Sequence, residues 1–373
     1  MDNSIIDVLH INSYVYNRTF YKSLFNDQIK KGLNVRVFAS IRKGSYGTAK
    51  TIGDYVDVSQ DFHLIERFFF YTKQRKSLKS AERIYDFSKV KFVHAHSLFT
   101  NGYVAYRIFK KYGVPYVVMV RNGDLNVFMK YAFYLRRTIM NVLLNAKAIV
   151  FLSEPYKKLF IDKYVKKSLK KTIVDKSHVI PNGVNEFWAK HEFLEKKVIH
   201  KPLHLLYAGE ITRNKNIGSV LEAVNGLNKS GFDVEYSVVG KVLDKRIQKQ
   251  IEHNRYAKYL GFLGKEDLMK IYRENDIFIM PSFTESFGLV YVEAMTQGLP
   301  VIYSKGQGFD AQFPEGTVGY HVESSNVNDI ANVIKMIAEK FESISGNCVE
   351  ASRKFSWNDI SNEFIALYKE NNI

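Results

Sequence analysis

The sequence predicts an α/β protein made of two parallel-sheet domains. Segments typical of strands and helices alternate along the chain, which is the pattern of parallel sheets connected by helices. At 373 residues the chain is long for a single hydrophobic core. A polar stretch between Gly183 and Leu203, following Pro181 and Asn182, separates two halves with the same alternating pattern. These observations together predict two domains.

The predicted strands are short apolar runs, and the predicted helices have apolar residues at helical spacing. Strands are expected at residues 5–11, 35–39, 92–95, 116–121 and 148–153, and then at 203–207, 234–239, 276–280 and 300–303. Helices are expected at residues 18–31, 73–87, 102–112 and 130–146, and then at 217–229, 265–274, 289–297 and 328–341.

Residues 280–300 form the most informative block, because they contain strand, loop, helix and strand in succession. Glu285 lies in the loop, and Glu293 lies more than one turn into the helix that should begin near Gly288. Free N–H groups at such a helix start can hold a diphosphate. The two carboxylates would then reach hydroxyls on either side of it, which is the layout of a nucleotide sugar.

This block resembles the donor-binding motif of the family-4 retaining glycosyltransferases, which have the GT-B fold. The family pattern is P-S-x-x-E-x-F-G-x-x-x-x-E-A-M-x-x-G-x-P-V, and every fixed position is present from Pro281 to Val301. Other segments also resemble the family in their order and spacing. They are residues 179–184, 207–209, Lys215 with Asn216, 259–264 and 355–357.

The resemblance implies two Rossmann-like domains that face each other across a cleft. We expect residues 1–185 to form the acceptor-binding domain, with a C-terminal helix at 355–373 packing back on it. Residues 186–354 should form the nucleotide-sugar-binding domain.

The resemblance also implies roles for the donor-site residues. Glu285 would contact sugar hydroxyls, and Glu293 would contact ribose hydroxyls. Lys215 and Arg213 would stabilise the charge that develops on the leaving diphosphate. The family has Arg directly after the glycine, whereas this chain has Glu210, so Arg213 would supply the guanidinium. The remaining donor-binding residues are expected to be Gly209, Ser286, Phe287, Gly288 and Leu289.

Four residues of the first half are candidate acceptor or cleft residues. His96 ends a predicted strand, on the same strand face as His94. Arg121 stands where the family has a histidine, which exchanges a titrating imidazole for a permanent cation. Asn122 and Asp124 follow it in a polar loop.

The sequence predicts chemistry without a metal or another cofactor. No Asp-x-Asp motif occurs, which is the arrangement that transferases of the other main fold use to hold a divalent cation. A single cysteine, the absence of a signal-peptide pattern near the start and the absence of a long apolar run favour the cytoplasm.

The charge is concentrated in the first half of the chain. Residues 1–190 contain 33 Lys and Arg against 14 Asp and Glu, whereas residues 191–373 contain 21 against 24. Two basic stretches, residues 73–83 and 155–176, have amphipathic character. We therefore expect the first half to meet an anionic membrane surface, at the inner face of a bacterial cell membrane.

The sequence favours a retaining, metal-independent hexosyltransferase. It would move a sugar from a nucleotide-sugar donor, UDP- or GDP-linked, to a glycan or lipid-linked acceptor in surface polysaccharide synthesis. One alternative is a GT-B sugar-nucleotide epimerase. A second is a basic nucleic-acid-binding protein, against which stands the absence of a recognisable nucleic-acid-binding motif. Nucleic acid is therefore not expected as a partner.

Overall fold

The computed structural model describes residues 5–15, 21–45 and 53–371 of the chain. It divides into two compact units, one comprising the chain up to Gly183 and again from Trp357, the other comprising Val184–Ser356. Unit 1 contains 33 Lys and Arg against 16 Asp and Glu, and unit 2 contains 21 against 22. The charge asymmetry of the sequence is therefore an asymmetry between the units.

Unit 1 is built on a seven-stranded, all-parallel sheet with strand order β3-β2-β1-β4-β5-β6-β7. Its strands are β1 Ile6–Ile11, β2 Val35–Arg42, β3 Val56–Phe62, β4 Val90–Ala95, β5 Tyr116–Val120, β6 Ala148–Phe151 and β7 Ser177–Val179. Its helices are α1 Tyr21–Lys30, α2 Phe70–Ile84, α3 Thr100–Tyr112, α4 Met129–Tyr131, α5 Arg136–Asn145, α6 Glu154–Tyr164, α7 Lys167–Asp175 and, from the end of the chain, α15 Trp357–Glu370. The central strands are buried on both faces, as parallel sheets covered by helices are.

Unit 2 is built on a six-stranded parallel sheet with strand order β10-β9-β8-β11-β12-β13. Its strands are β8 Leu203–Ala208, β9 Val234–Val239, β10 Ala257–Tyr259, β11 Ile277–Ile279, β12 Val301–Ser304 and β13 Gly319–Val322. Its helices are α8 Glu186–Lys190, α9 Ile217–Lys229, α10 Lys245–Glu252, α11 Lys265–Arg273, α12 Leu289–Thr296, α13 Val327–Glu339 and α14 Phe341–Ser352. The predicted α/β class with two parallel sheets is confirmed.

Among the described residues, the strands that were not predicted from the sequence lie at the sheet edges, and the helices α8, α10 and α14 were not predicted either. β3 and β7 are the two edge strands of unit 1, and β10 and β13 are those of unit 2. β3 reads VDVSQDF and is mostly half-buried, so it lacks the apolar run that identifies a central strand. Edge strands pair on one side only, and polar residues are common in them.

The predicted helix at residues 130–146 is wrong in its first part. The chain instead forms a π-helical turn at Asp124–Phe128, the short α4, a 3-10 turn at Phe133–Leu135 and only then α5. The Arg136 guanidinium donates two hydrogen bonds, of 3.1 and 2.7 Å, to the carbonyl of Met129. These bonds satisfy a carbonyl that a continuous helix would have paired with a backbone amide.

The predicted helix at residues 328–341 is also wrong at its end, because α13 ends at Glu339 and α14 begins at Phe341. The predicted helix at 18–31 corresponds to α1, and its first three residues lie outside the described ranges. In the described residues, no helix combines the length and the apolar character needed to cross a bilayer.

Candidate functional site

The start of α12 is the structural centre of the predicted donor site. Gly288 lies at the N-cap with φ of 83°, a conformation that glycine adopts at little cost, and a Cβ there would collide with the Tyr291 ring. The Tyr291 hydroxyl donates a 2.5 Å hydrogen bond to the Met280 carbonyl and fixes the first turn against β11. Within the described residues, the amides of Gly288 and Leu289 have no hydrogen-bond partner. They are the unpaired donors that a helix N-terminus offers to an anion.

Glu285 and Lys215 form an ion pair in front of this helix start. Lys215 Nζ lies 2.6 Å from Glu285 Oε2, and the two side chains are only 20% and 13% exposed. The other carboxylate oxygen of Glu285 accepts a 3.0 Å hydrogen bond from the amide of Ser286. A partly buried, charge-assisted pair of this kind holds both groups in fixed positions.

The loop after β12 holds the backbone of Glu285. Its amide donates to Gln307 Oε1 at 3.0 Å, and its carbonyl accepts from the amide of Gly308 at 2.7 Å. The two chain segments pass so closely that a Cβ on Gly308 would collide with the backbone of Ser286. Gln307 and Gly308 were not singled out in the sequence, because only the pairing of β11 with β12 brings their loop beside Glu285.

The loop that carries Lys215 is bonded to the loop that carries Glu285. Asn214 Nδ2 donates to the Thr284 carbonyl at 2.8 Å, and Asn216 Nδ2 donates to the carbonyls of Pro281 and Ser324 at 3.0 and 2.6 Å. Asn216 adopts a left-handed conformation with φ of 56°, which Asn tolerates better than most residues. These asparagines place the lysine beside the glutamate.

The other predicted donor-site residues of the segment 209–215 have different surroundings. Arg213 begins a 3-10 turn; it is exposed, and it makes no ion pair within the described part of the chain. Gly209 directly follows β8 and lies against Gly240, where a Cβ would collide with the Gly209 carbonyl. Both residues lie at the carboxyl edge of the sheet, as Lys215 and Glu285 do.

Glu293 lies in the second turn of α12, beside α8. Burial raises the pKa of Glu293 to about 7, whereas the charge of Lys265 and a hydrogen bond from the Trp188 side chain act in the opposite direction. Trp188 is almost fully buried in α8 and packs against Tyr272. No local pattern pointed to Trp188, since α8 has only five residues and falls in the stretch interpreted as a linker.

His96 belongs to a buried histidine cluster in unit 1 rather than to an exposed surface. His94 and His96 stack with ring centroids 4.2 Å apart, which confirms their predicted common strand face. His10 of β1 lies opposite His94 in the sheet register, and its Nδ1 is 2.9 Å from His96 Nε2. Its other nitrogen bonds to Gln28 Oε1 at 2.8 Å, and His94 Nδ1 lies 2.6 Å from the Tyr368 hydroxyl.

The environment of this cluster disfavours the charged imidazolium. Burial lowers the pKa of His10 to about 3 and lowers the pKa values of His94 and His96 well below the usual range. Ring nitrogens of all three lie within 4.8 Å of one another, so the geometry includes three candidate metal ligands. The stacked rings of His94 and His96 direct their in-plane lone pairs side by side rather than toward one point, which does not suit shared coordination.

Arg121 joins the loops that follow three strands of unit 1. Its guanidinium donates to Asn182 Oδ1 at 2.7 Å and to the His96 carbonyl at 3.3 Å, and it lies 5.6 Å from the Tyr21 ring centroid. Among the described residues it forms no ion pair with Asp124. Arg121 remains half-buried, with part of its surface open to solvent.

Asp124 is buried and ties backbone segments together. Its carboxylate accepts from the amides of Leu98, Phe99 and Arg121 at 3.0, 3.1 and 2.8 Å. Burial raises the pKa of Asp124 to about 6, although these hydrogen bonds and the Arg121 charge lower it. Asn122 is half-buried and accepts a hydrogen bond from Asn126.

Two family models match successive parts of the chain. Residues 18–186 match glycosyltransferase family 4, and residues 189–355 match the glycosyl transferases group 1. An uncharacterised glycosyltransferase of Methanocaldococcus jannaschii is 23% identical over 291 residues, which is 75% of either chain. Other curated relatives align over shorter regions; one match covers 47% of this chain and 48% of a Klebsiella pneumoniae protein.

Solved structures show the same fold over nearly the whole chain. A lipopolysaccharide outer core galactosyltransferase in its apo form has a TM-score of 0.76 at 13% identity, covering 98% of this chain and 100% of that one. An Anabaena protein in complex with UDP and glucose has a TM-score of 0.71 at 17% identity, with the same coverage. The fold is GT-B, and the chain belongs to glycosyltransferase family 4, among the glycosyl transferases of group 1.

Proposed function

We propose that this chain is a retaining, metal-independent hexosyltransferase that uses a nucleotide-sugar donor, UDP- or GDP-linked. The observation that carries the proposal is the Lys215–Glu285 pair in front of the unpaired amides at the start of α12. A cation, a carboxylate and helix-terminal donors at one sheet edge suit a ligand that combines hydroxyls with a diphosphate. The similar Anabaena structure, which contains UDP and glucose, favours UDP.

In the proposed reaction the acceptor oxygen bonds to the anomeric carbon on the face from which the diphosphate leaves. The bond between that carbon and the phosphate oxygen breaks, and the departing phosphate takes the acceptor proton. Lys215, the helix-terminal amides and the exposed guanidinium of Arg213 stabilise the charge that grows on the diphosphate. Glu285 exchanges its ion pair with Lys215 for hydrogen bonds to the sugar, and Glu293 binds the ribose.

The acceptor is proposed to be a glycan or a lipid-linked sugar in surface polysaccharide synthesis, bound by unit 1 at the inner face of a bacterial cell membrane. Arg121 offers a partly open guanidinium at the carboxyl edge of that sheet, which suits a phosphate or carboxylate. The similar lipopolysaccharide galactosyltransferase supports the polysaccharide role.

Slow hydrolysis of the donor tests the proposal without knowledge of the acceptor. A panel of UDP-, GDP- and ADP-sugars is incubated with the protein, and release of the free sugar and its initial anomeric form are followed by NMR. We expect one nucleotide class to be hydrolysed with retention of configuration, and the Glu285→Ala variant to lose this activity. The exposed lysine of the Lys270–Asp267 pair provides the matched control, Lys270→Ala, which should keep it. Binding or hydrolysis of no donor would contradict the proposal.

A further inference from the structure

The most unusual surface of unit 1 lies on two segments, residues 64–71 and 127–137, which we call the aromatic–basic surface. Nine of the nineteen exposed large hydrophobic side chains among the described residues lie on it. They are Leu64, Ile65, Phe68, Phe69, Tyr71, Val127, Tyr131, Phe133 and Tyr134. Monomeric soluble proteins seldom expose apolar side chains in such a concentration without a partner.

The two segments are held together by a direct contact. The Tyr71 hydroxyl, in the first turn of α2, lies 2.9 Å from Thr138 Oγ1 in α5. Both segments follow strands at the carboxyl edge of the sheet: the first begins after β3 ends at Phe62, and the second follows β5. This contact brings the two segments together at the edge where the acceptor is proposed to bind.

The charge around these side chains is strongly positive. Residues 64–79 and 125–137 contain eight Lys and Arg and a single acidic residue, Glu66. Glu66 is already paired with Lys76 at 2.5 Å. Lys130 and Arg137 are exposed, and Lys130 Nζ lies 5.2 Å from the Tyr131 ring centroid.

We propose that the aromatic–basic surface docks this protein on an anionic lipid bilayer, with Phe68, Phe133 and Tyr134 entering the interface. Aromatic rings prefer the headgroup region, and neighbouring cations are attracted to anionic lipid. A second copy of the chain is disfavoured as the occupant, because two strongly positive surfaces repel. This inference rests on the proposed location of unit 1 at the cell membrane and names the surface that contacts lipid; it does not depend on the proposed transfer, since lipid docking requires no donor or acceptor.

The surface differs from the lysine-rich helices that the sequence indicated. α6 and α7 carry many lysines, yet only Leu159 and Val174 are exposed large hydrophobics there, at 42% and 43%. Lys170 is also paired with Asp162. These helices can add long-range attraction but lack side chains that enter the bilayer interface.

Co-sedimentation of the full chain with vesicles tests the proposal. The vesicles are phosphatidylcholine with or without phosphatidylglycerol, in low salt. We expect the parent to bind the anionic vesicles and the Phe68→Ser/Phe133→Ser/Tyr134→Ser variant to bind at least about tenfold more weakly. Phe262→Ser is the matched control, because Phe262 is 78% exposed and lies in unit 2; it should bind like the parent.

A second pair of variants separates this surface from charge elsewhere. Lys130→Gln/Arg137→Gln should weaken vesicle binding more than Lys166→Gln/Lys167→Gln, which removes the same charge from exposed positions in the lysine-rich region. Circular dichroism and donor hydrolysis should match the parent in all variants. A parent that does not sediment, or a triple variant that binds like the parent, would overturn the proposal. So would a parent dimer that the triple variant converts to a monomer, because the surface would then bind a second copy.

Discussion

The carboxyl edges of the two sheets hold titratable groups of opposite character. In unit 2, Lys215 and Glu285 form an ion pair at 2.6 Å, with part of their surface open. In unit 1, His10, His94 and His96 are fully buried, and their pKa values are lowered. The same edge of a parallel sheet can therefore carry an ion pair that is available to a ligand, or buried histidines whose hydrogen bonds join neighbouring strands. Burial decides between the two.

The largest expected effect is on the rate of sugar transfer, and it tests the ion pair of unit 2. Glu285→Ala and Lys215→Ala should each lower the transfer rate by about 10²-fold or more, the scale for losing one preorganised electrostatic contact. Initial rates with a saturating donor are the measurement, and unfolding curves should show that both variants remain folded. Lys270→Ala, which breaks an exposed ion pair of the same unit, should leave the rate unchanged. Normal turnover in the first two variants would place the site elsewhere.

The next effect is on stability in acid, and it tests the buried histidines. The pKa of His10 is lowered to about 3 in the folded chain, so the unfolded chain binds more protons between that pH and about 6.5. Stability is therefore complete above about pH 6.5 and falls as the pH decreases. At pH 5 we expect a loss of about 2 kcal/mol in the free energy of unfolding from His10 alone. Urea unfolding at pH 7 and pH 5 is the measurement.

A His10→Gln variant provides the control for this pH dependence. It keeps a hydrogen-bonding side chain without a titrating ring, so its stability should change less between pH 7 and pH 5 than that of the parent. An equal change in the two proteins would show that other groups cause the acid sensitivity.

A smaller effect is expected at Glu293, whose character lies between the two extremes. Glu293→Ala should weaken donor binding by roughly 1–3 kcal/mol through lost hydrogen bonds, with less effect on the rate at saturating donor. Isothermal titration with the nucleoside diphosphate measures this loss of affinity.

The raised pKa of Glu293, about 7, provides a second test, because ionising this buried carboxyl costs stability as the pH rises from about 4.5 to 7. The Glu293→Ala variant should therefore be more stable than the parent at pH 8. If donor binding weakens without this gain in stability, the Glu293 side chain is more exposed to solvent than a pKa of about 7 requires.

The smallest expected effect is that of metal removal. If Lys215 and the helix-terminal amides supply the positive charge, excess EDTA should leave the transfer rate unchanged. The measurement is the rate before and after chelation, with manganese added back. Activity that disappears with EDTA and returns with manganese would show that fixed cations do not replace a metal.

Local sequence was sufficient for the central elements of the fold. The helices at Ile217–Lys229 and Leu289–Thr296 were predicted to within one residue, because apolar periodicity and the Gly288 start are local signals. The edge strands were missed because their polar residues interrupt the pattern of apolar residues that identifies a strand. The first part of the predicted helix at 130–146 was wrong because the turns there depend on Arg136 reaching back to Met129.

The sequence by itself determined the alternation of strands and helices, the family and the candidate pair Glu285 and Glu293, since these depend on residues close together in the chain. Only the tertiary structure decided that Lys215 lies 2.6 Å from Glu285, that Trp188 contacts Glu293 and that His10 joins His94 and His96. It also decided that two segments distant in the chain, 64–71 and 127–137, are brought together by the contact of Tyr71 with Thr138. The physical reason is that burial, pairing and pKa depend on strand order and helix packing, which bring together residues that no local pattern connects.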